Sequence, residues 1–135
     1  MKNKAVENFK NGYSCSESIV KAAADLGLVN HNLIPVATPF SGGISSGCLC
    51  GAVAGMQLVI GAMLGRQDNS TSPNEAKSNA KLAMDKFKEL HKVTCCRALT
   101  AGLDMTSPQR KEHCCKLVND CAEIIEEICS SNIKK

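Results

Sequence analysis

At 135 residues with no Pro-, Gly- or Ser-rich linker, the chain has the length of one domain, 1–135, and its 44% apolar content can bury a core without disulfide staples. The net charge of +3 comes from dispersed Lys and Glu with no basic block and almost no aromatic side chains, which argues against nucleic acid as a partner. Nine cysteines stand against one tyrosine, three phenylalanines and no tryptophan, so sulfur is the chemistry this chain places.

The opening MKNKAVENFKNGYS lacks the apolar core of a secretory signal, and the compartment expected is therefore a reducing cytoplasm, where structural disulfides are rare. Ser14 with Glu17 three residues on forms a capping box. Behind it Cys15, Ser18, Ile19, Ala22, Ala23 and Leu26 make one helical stripe that Gly27 ends. From Asn32 to Gly65 no residue is charged. Pro39 and Ser41-Gly42-Gly43 read as a flexible loop lying over the start of the next helix, GCLCGAVAGMQLVIGAMLG. That helix is long enough for a membrane span to be considered, but two cysteines, five glycines and Gln57 dilute it and neither flank is basic. Gly47, Gly51, Gly55, Gly61 and Gly65 instead predict a buried central helix that neighbours approach closely.

After a polar loop at 66–72, Ser72, Pro73 and Glu75 open a helix with Ala76, Ala80, Ala83, Phe87 and Leu90 on one side, running to about His91. Thr94 is a cap for a short helix holding Cys96. A second polar loop, 100–107, precedes Ser107 and Pro108. The last helix then turns Cys114, Leu117, Val118, Cys121, Ile124, Ile125 and Ile128 inward against Lys116, Asp120, Glu123 and Glu127. The fold expected is all-α, a single compact helical bundle of about five helices.

The cysteines fall as Cys15 alone, Cys48 with Cys50, Cys95 with Cys96, Cys114 with Cys115, then Cys121 and Cys129, and no zinc-finger or ferredoxin spacing is among them. Cys15, Cys50 and Cys96 stand at three helix starts, where the helix dipole and free amides favour thiolate. Neighbours on a helix point about 100° apart, so one thiol of each adjacent pair is expected to work. In the last helix Cys114 lies at the middle of the apolar stripe and Cys115 at its edge. Cys121 and Cys129 read as core residues.

Cys50-Gly51-Ala52-Val53-Ala54-Gly55 matches CGAxxG, and the chain resembles the C_GCAxxG_C_C family of redox-active proteins, named for its cysteine pattern. Members look like single domains of this size with one early cysteine, the CGAxxG segment and two later cysteines. Cys15 in GYSCSESIV fits the first, Cys50 the second and Cys96 in CRAL the third. The fourth falls on Cys114 or Cys115 before KLVNDCAEI, with Cys114 preferred by helix phase. The family is similar to the non-haem part of split-Soret cytochrome c, a dimeric helical protein that also holds an iron–sulfur centre. No CxxCH occurs here, so covalent haem is not carried over. Cys48, Cys95, Cys115, Cys121 and Cys129 depart from the four-cysteine pattern and leave open a second site, with Cys48, Cys95, Cys115 and Cys121 as secondary ligand candidates.

The resemblance implies electron transfer by an iron–sulfur cluster on Cys15, Cys50, Cys96 and Cys114, with a redox partner protein. The alternatives are thiol–disulfide chemistry, with Cys50 or Cys96 as nucleophile and Cys48 or Cys95 resolving, and a structural or storage site for zinc or copper. His31, His91 and His113 read as solvated side chains and Arg97 as an exposed one. His113, beside Cys114, is the histidine to test as a ligand, and Arg97 could stabilise a charge at Cys96. The glycine face of the central helix suggests a homodimer.

Overall fold

The structure, a computed structural model, describes residues 1–104 and 106–133, with only the backbone for 131–133. Among these residues it is all-α, with helices α1 (Lys2–Lys10), α2 (Cys15–Asp25), α3 (Ile34–Ala37), α4 (Gly51–Leu64), α5 (Asn74–His91), α6 (Cys96–Leu99) and α7 (Pro108–Ile133). That is seven α-helices where about five were expected. None is long and apolar enough to cross a membrane. The two additions are α1, whose charged sequence has no capping signal, and the single turn α3.

Capping starts α2 as its sequence dictates. Ser14 Oγ accepts from the Glu17 amide at 3.3 Å while the Glu17 carboxylate accepts from the Ser14 amide at 2.9 Å, which satisfies two otherwise orphaned donors. The helix buries Ile19, Val20 and three alanines, together with Ser16 and Ser18. Burying a hydroxyl is tolerable here because Ser16 donates to the Ala37 carbonyl at 2.7 Å and Ser18 to that of Ser14 at 2.6 Å. Leu26, placed by periodicity on the inner stripe, sits at the C-cap and is 45% exposed.

Helix α4 packs against α2, α5 and α7 and buries Gly51 through Met56, Val59 and Ile60. Close approach to α2 depends on Gly55, where a β-carbon would stand 2.9 Å from the Ser16 carbonyl oxygen. The glycine face at 51 and 55 is thus taken up inside the chain, and it lends no support to a twofold contact there. Gln57 Nε2 donates to the Ala80 carbonyl of α5 at 3.0 Å.

The apolar side of α5 is shorter than its pattern, since Ala83 and Phe87 are buried but Leu90 is 58% exposed. Ser72 Oγ accepts from the Asn74 amide, and Pro73 stands at the cap, one residue before the helical position predicted for it. Ser107 Oγ caps α7 by accepting from the Arg110 amide at 3.1 Å. Leu117, Val118, Cys121, Ile124, Ile125 and Ile128 then face the core. α1 lies against α2 and α7, with the Lys2 amide donating to Glu126 and the Lys2 ammonium paired with Glu123 at 2.7 Å. The segments 66–72 and 100–104 are non-helical loops; Met105, within the loop read at 100–107, lies outside the described residues.

The segment before α4 is built from strained backbone. Gly42, Gly43, Ile44, Ser45 and Gly47 all take positive φ, and for a β-branched residue such as Ile44 (φ 59°) that conformation is costly. A β-carbon on Gly43 would collide with the backbone of Cys48 and the Cys96 side chain, so glycine is required twice over at that point.

Candidate redox site

Four cysteines distant in sequence line one small, partly open cavity of about 40 Å3: Cys15, Cys50, Cys96 and Cys114. Each comes from a different helix. Cys15 is the first residue of α2, Cys50 the N-cap of α4, Cys96 the first residue of α6, and Cys114 lies in the second turn of α7. An isolated antiparallel bridge between Leu49 and Cys95 ties two of these together. Across it the Cys50 amide donates to the Thr94 carbonyl at 2.7 Å and the Cys96 amide to that of Cys48. Thr94 therefore serves the site through its carbonyl, and the cap position predicted for it belongs to Cys95. Gly42, Gly51, Arg110 and Leu117 complete much of the wall.

The acidity expected of thiols at helix starts fails for Cys15 and Cys50. Burial pushes Cys15, Cys50 and Cys114 upward, Cys50 to about 12. Amides of Gly42 and Ser16 donate toward the Cys15 sulfur, and those of Val53 and Ala52 toward Cys50, which pulls the other way. Loss of water around a thiolate outweighs these donors, because it acts on the whole charge while each amide contributes a partial one. Neighbouring thiols add to the rise. Cys50 in this form is no ready nucleophile. Arg110 opposes the rise at Cys114 by its positive charge.

The remaining cysteines lie elsewhere. Cys48 and Cys95 are exposed, and the Cys95 thiol donates to the Gly47 carbonyl at 3.2 Å. Cys115 is half-buried and does not line the cavity. Cys121 is fully buried in the core, near enough to Cys50 and Cys15 for their charges to act on it. Cys129 packs its sulfur 3.6 Å from that of Met63. Among the described residues no three His, Cys, Asp or Glu side chains are grouped to hold a single metal ion.

His31 is exposed beside Asp25 at 2.9 Å. His91 is not solvated as expected: its Nε2 lies 2.8 Å from Asp120, with 9% and 14% of the two side chains exposed, and its ring meets Phe87 at 4.7 Å. His113 Nε2 is also buried, with no hydrogen-bond partner among the described residues. Arg97 is outside the cavity, where its guanidinium donates to the Ser46 carbonyl at 3.2 Å and backs Gly47. The cation on the cavity wall is Arg110, which sequence reading passed over. A signal for it exists: 110, 114 and 117 fall on one face of α7 at helical spacing.

Residues 13–128 match the model of the family described as "Putative redox-active protein (C_GCAxxG_C_C)". No curated protein and no solved structure matches the chain.

Proposed function

Since the chain belongs to the C_GCAxxG_C_C family of redox-active proteins, we propose that Cys15, Cys50, Cys96 and Cys114 bind an iron–sulfur cluster and that the protein carries single electrons to and from a partner protein. The observation that supports this most is the shared cavity: four thiols from four helices, and none of the other five cysteines, line it. Their chemistry fits the group, because all four donors are sulfur and the cavity has a cation, Arg110, to offset cluster charge. Four thiols match in number and kind the four thiolates such a cluster takes.

A space of about 40 Å3 is little more than a water or two requires, so binding a cluster would move part of the wall. Of the wall residues, Gly42, Cys50 and Thr100 lie outside the ranges of the seven helices. When bound, the cluster would supply one-electron redox chemistry. The chain's own contribution is to hold four thiols at fixed helix starts and turns, to exclude water with Leu117 and Gly51, and to direct the Gly42, Ser16, Val53 and Ala52 amides at two of the sulfurs. Such donors are a recognised lever on cluster potential.

Iron, acid-labile sulfide and visible absorption of anaerobically purified protein test the proposal. Coloured protein with iron and sulfide in equal amounts is expected. Colourless protein carrying only zinc would overturn it.

A further inference from the structure

A second cavity, open to solvent and of about 650 Å3, lies against the cysteine cavity. The two share Cys15, Gly42, Arg110 and Cys114, so these residues form the partition between them. Its volume is in the range of small-molecule sites, roughly 300–1,000 Å3. Phe9 and Tyr13 give it an aromatic wall, Arg110 and Lys111 are its cations, and no Asp or Glu is among its described lining residues. Gly12 and Gly42 keep part of the wall bare: both have positive φ, and a β-carbon on either would meet no atom within 4 Å.

We propose that the outer cavity binds a small organic anion, an aromatic body carrying a sulfonate, phosphate or carboxylate, next to Cys15 and Cys114. Phe9 and Tyr13 would take the apolar body out of water. Arg110 and Lys111 would select for the negative group, with no carboxylate among the described lining residues to repel it. The shared partition sets such an occupant beside the proposed redox centre; that consequence rests on the reading above, whereas binding itself does not.

The test uses the full chain, reduced, both as purified and after removal of any metal, with two fluorescent dyes. Anilinonaphthalene sulfonate carries the anionic group; phenylnaphthylamine has the same rings without it. Saturable binding of one sulfonate per chain is expected in both forms, at least tenfold tighter than the neutral dye. Lys111→Glu, on an exposed residue outside the cysteine cavity, is expected to weaken the sulfonate about tenfold and leave the neutral dye unchanged. If that variant does not fold by circular dichroism, raising the salt on the unaltered protein makes the same distinction, since screening weakens only the charged dye. Equal affinity for the two dyes, binding without saturation, or indifference to both Lys111→Glu and salt would overturn the proposal. A protein found without iron would sink the cluster and leave this measurement intact.

Discussion

The sulfur of Cys15 lies where a β-carbon on Gly51 would have to go. The same hypothetical atom would stand 3.0 Å from the Phe40 carbonyl oxygen and 3.1 Å from the Ser41 α-carbon, and backbone cannot swing aside as a side chain can. The first glycine of CGAxxG thus lets α4, α2 and the turn after Phe40 close on one another. Gly51→Ala is expected to destabilise the fold by about 1–3 kcal/mol through overpacking. Gly61→Ala, in the same helix but with open space around the new carbon, is expected to stabilise it by about 0.5–1 kcal/mol. Urea unfolding of the two variants checks the pair, and the same sign for both would contradict the packing described.

Serine at Cys15, Cys50, Cys96 or Cys114 is expected to abolish iron binding, and serine at Cys115 or Cys129 to leave it near one complement. Cys115 is the informative control because it adjoins Cys114 on α7 yet is absent from the cavity wall. Iron and sulfide per chain after anaerobic purification are the readout. Retention in Cys114→Ser with loss in Cys115→Ser would move the fourth ligand by one residue.

In metal-free, reduced protein, the buried thiols' contribution to stability is expected to be constant below about pH 8 and to fall from about pH 8.5 upward. Cys15, Cys50, Cys114 and Cys121 are all raised by burial, so the folded chain holds protons that unfolded thiols release near their ordinary value of about 8.5. The unfolded state then binds fewer protons, and stability declines with pH until the folded thiols themselves ionise, near 12 for Cys50. By pH 10, Cys50 alone accounts for on the order of 1–2 kcal/mol. Denaturation midpoints across this range should fall less steeply for Cys50→Ala than for the parent, and parallel curves would show that Cys50 is not held protonated.

His91 and Asp120 join α5 to α7 at 2.8 Å with little of either exposed. A double-mutant cycle with His91→Ala and Asp120→Ala is expected to give a coupling of about 1 kcal/mol. Zero coupling would return His91 to the solvated role its polar sequence setting suggested.

Local sequence determined much of what surrounds the site. The Ser14–Glu17 box starts α2, Ser107 starts α7, and the stripe from Leu117 to Ile128 faces the core, because caps and helical periodicity act over a few residues. The resemblance carried by CGAxxG named Cys15, Cys50 and Cys96, helix phase chose Cys114 over Cys115, and these four line the cavity. Only the tertiary structure decided what depends on distant contacts. It exposed Leu26 and Leu90, which periodicity had turned inward, and it buried His91 against Asp120. It added α1, whose charged sequence lies against α7 through Lys2. It put Arg110 rather than Arg97 on the cavity wall. Above all it reversed the acidity expected of Cys15 and Cys50: a helix start is visible in a stretch of sequence, whereas the loss of water that outweighs it comes from residues as remote as Gly42, Thr100 and Leu117 closing over the same space.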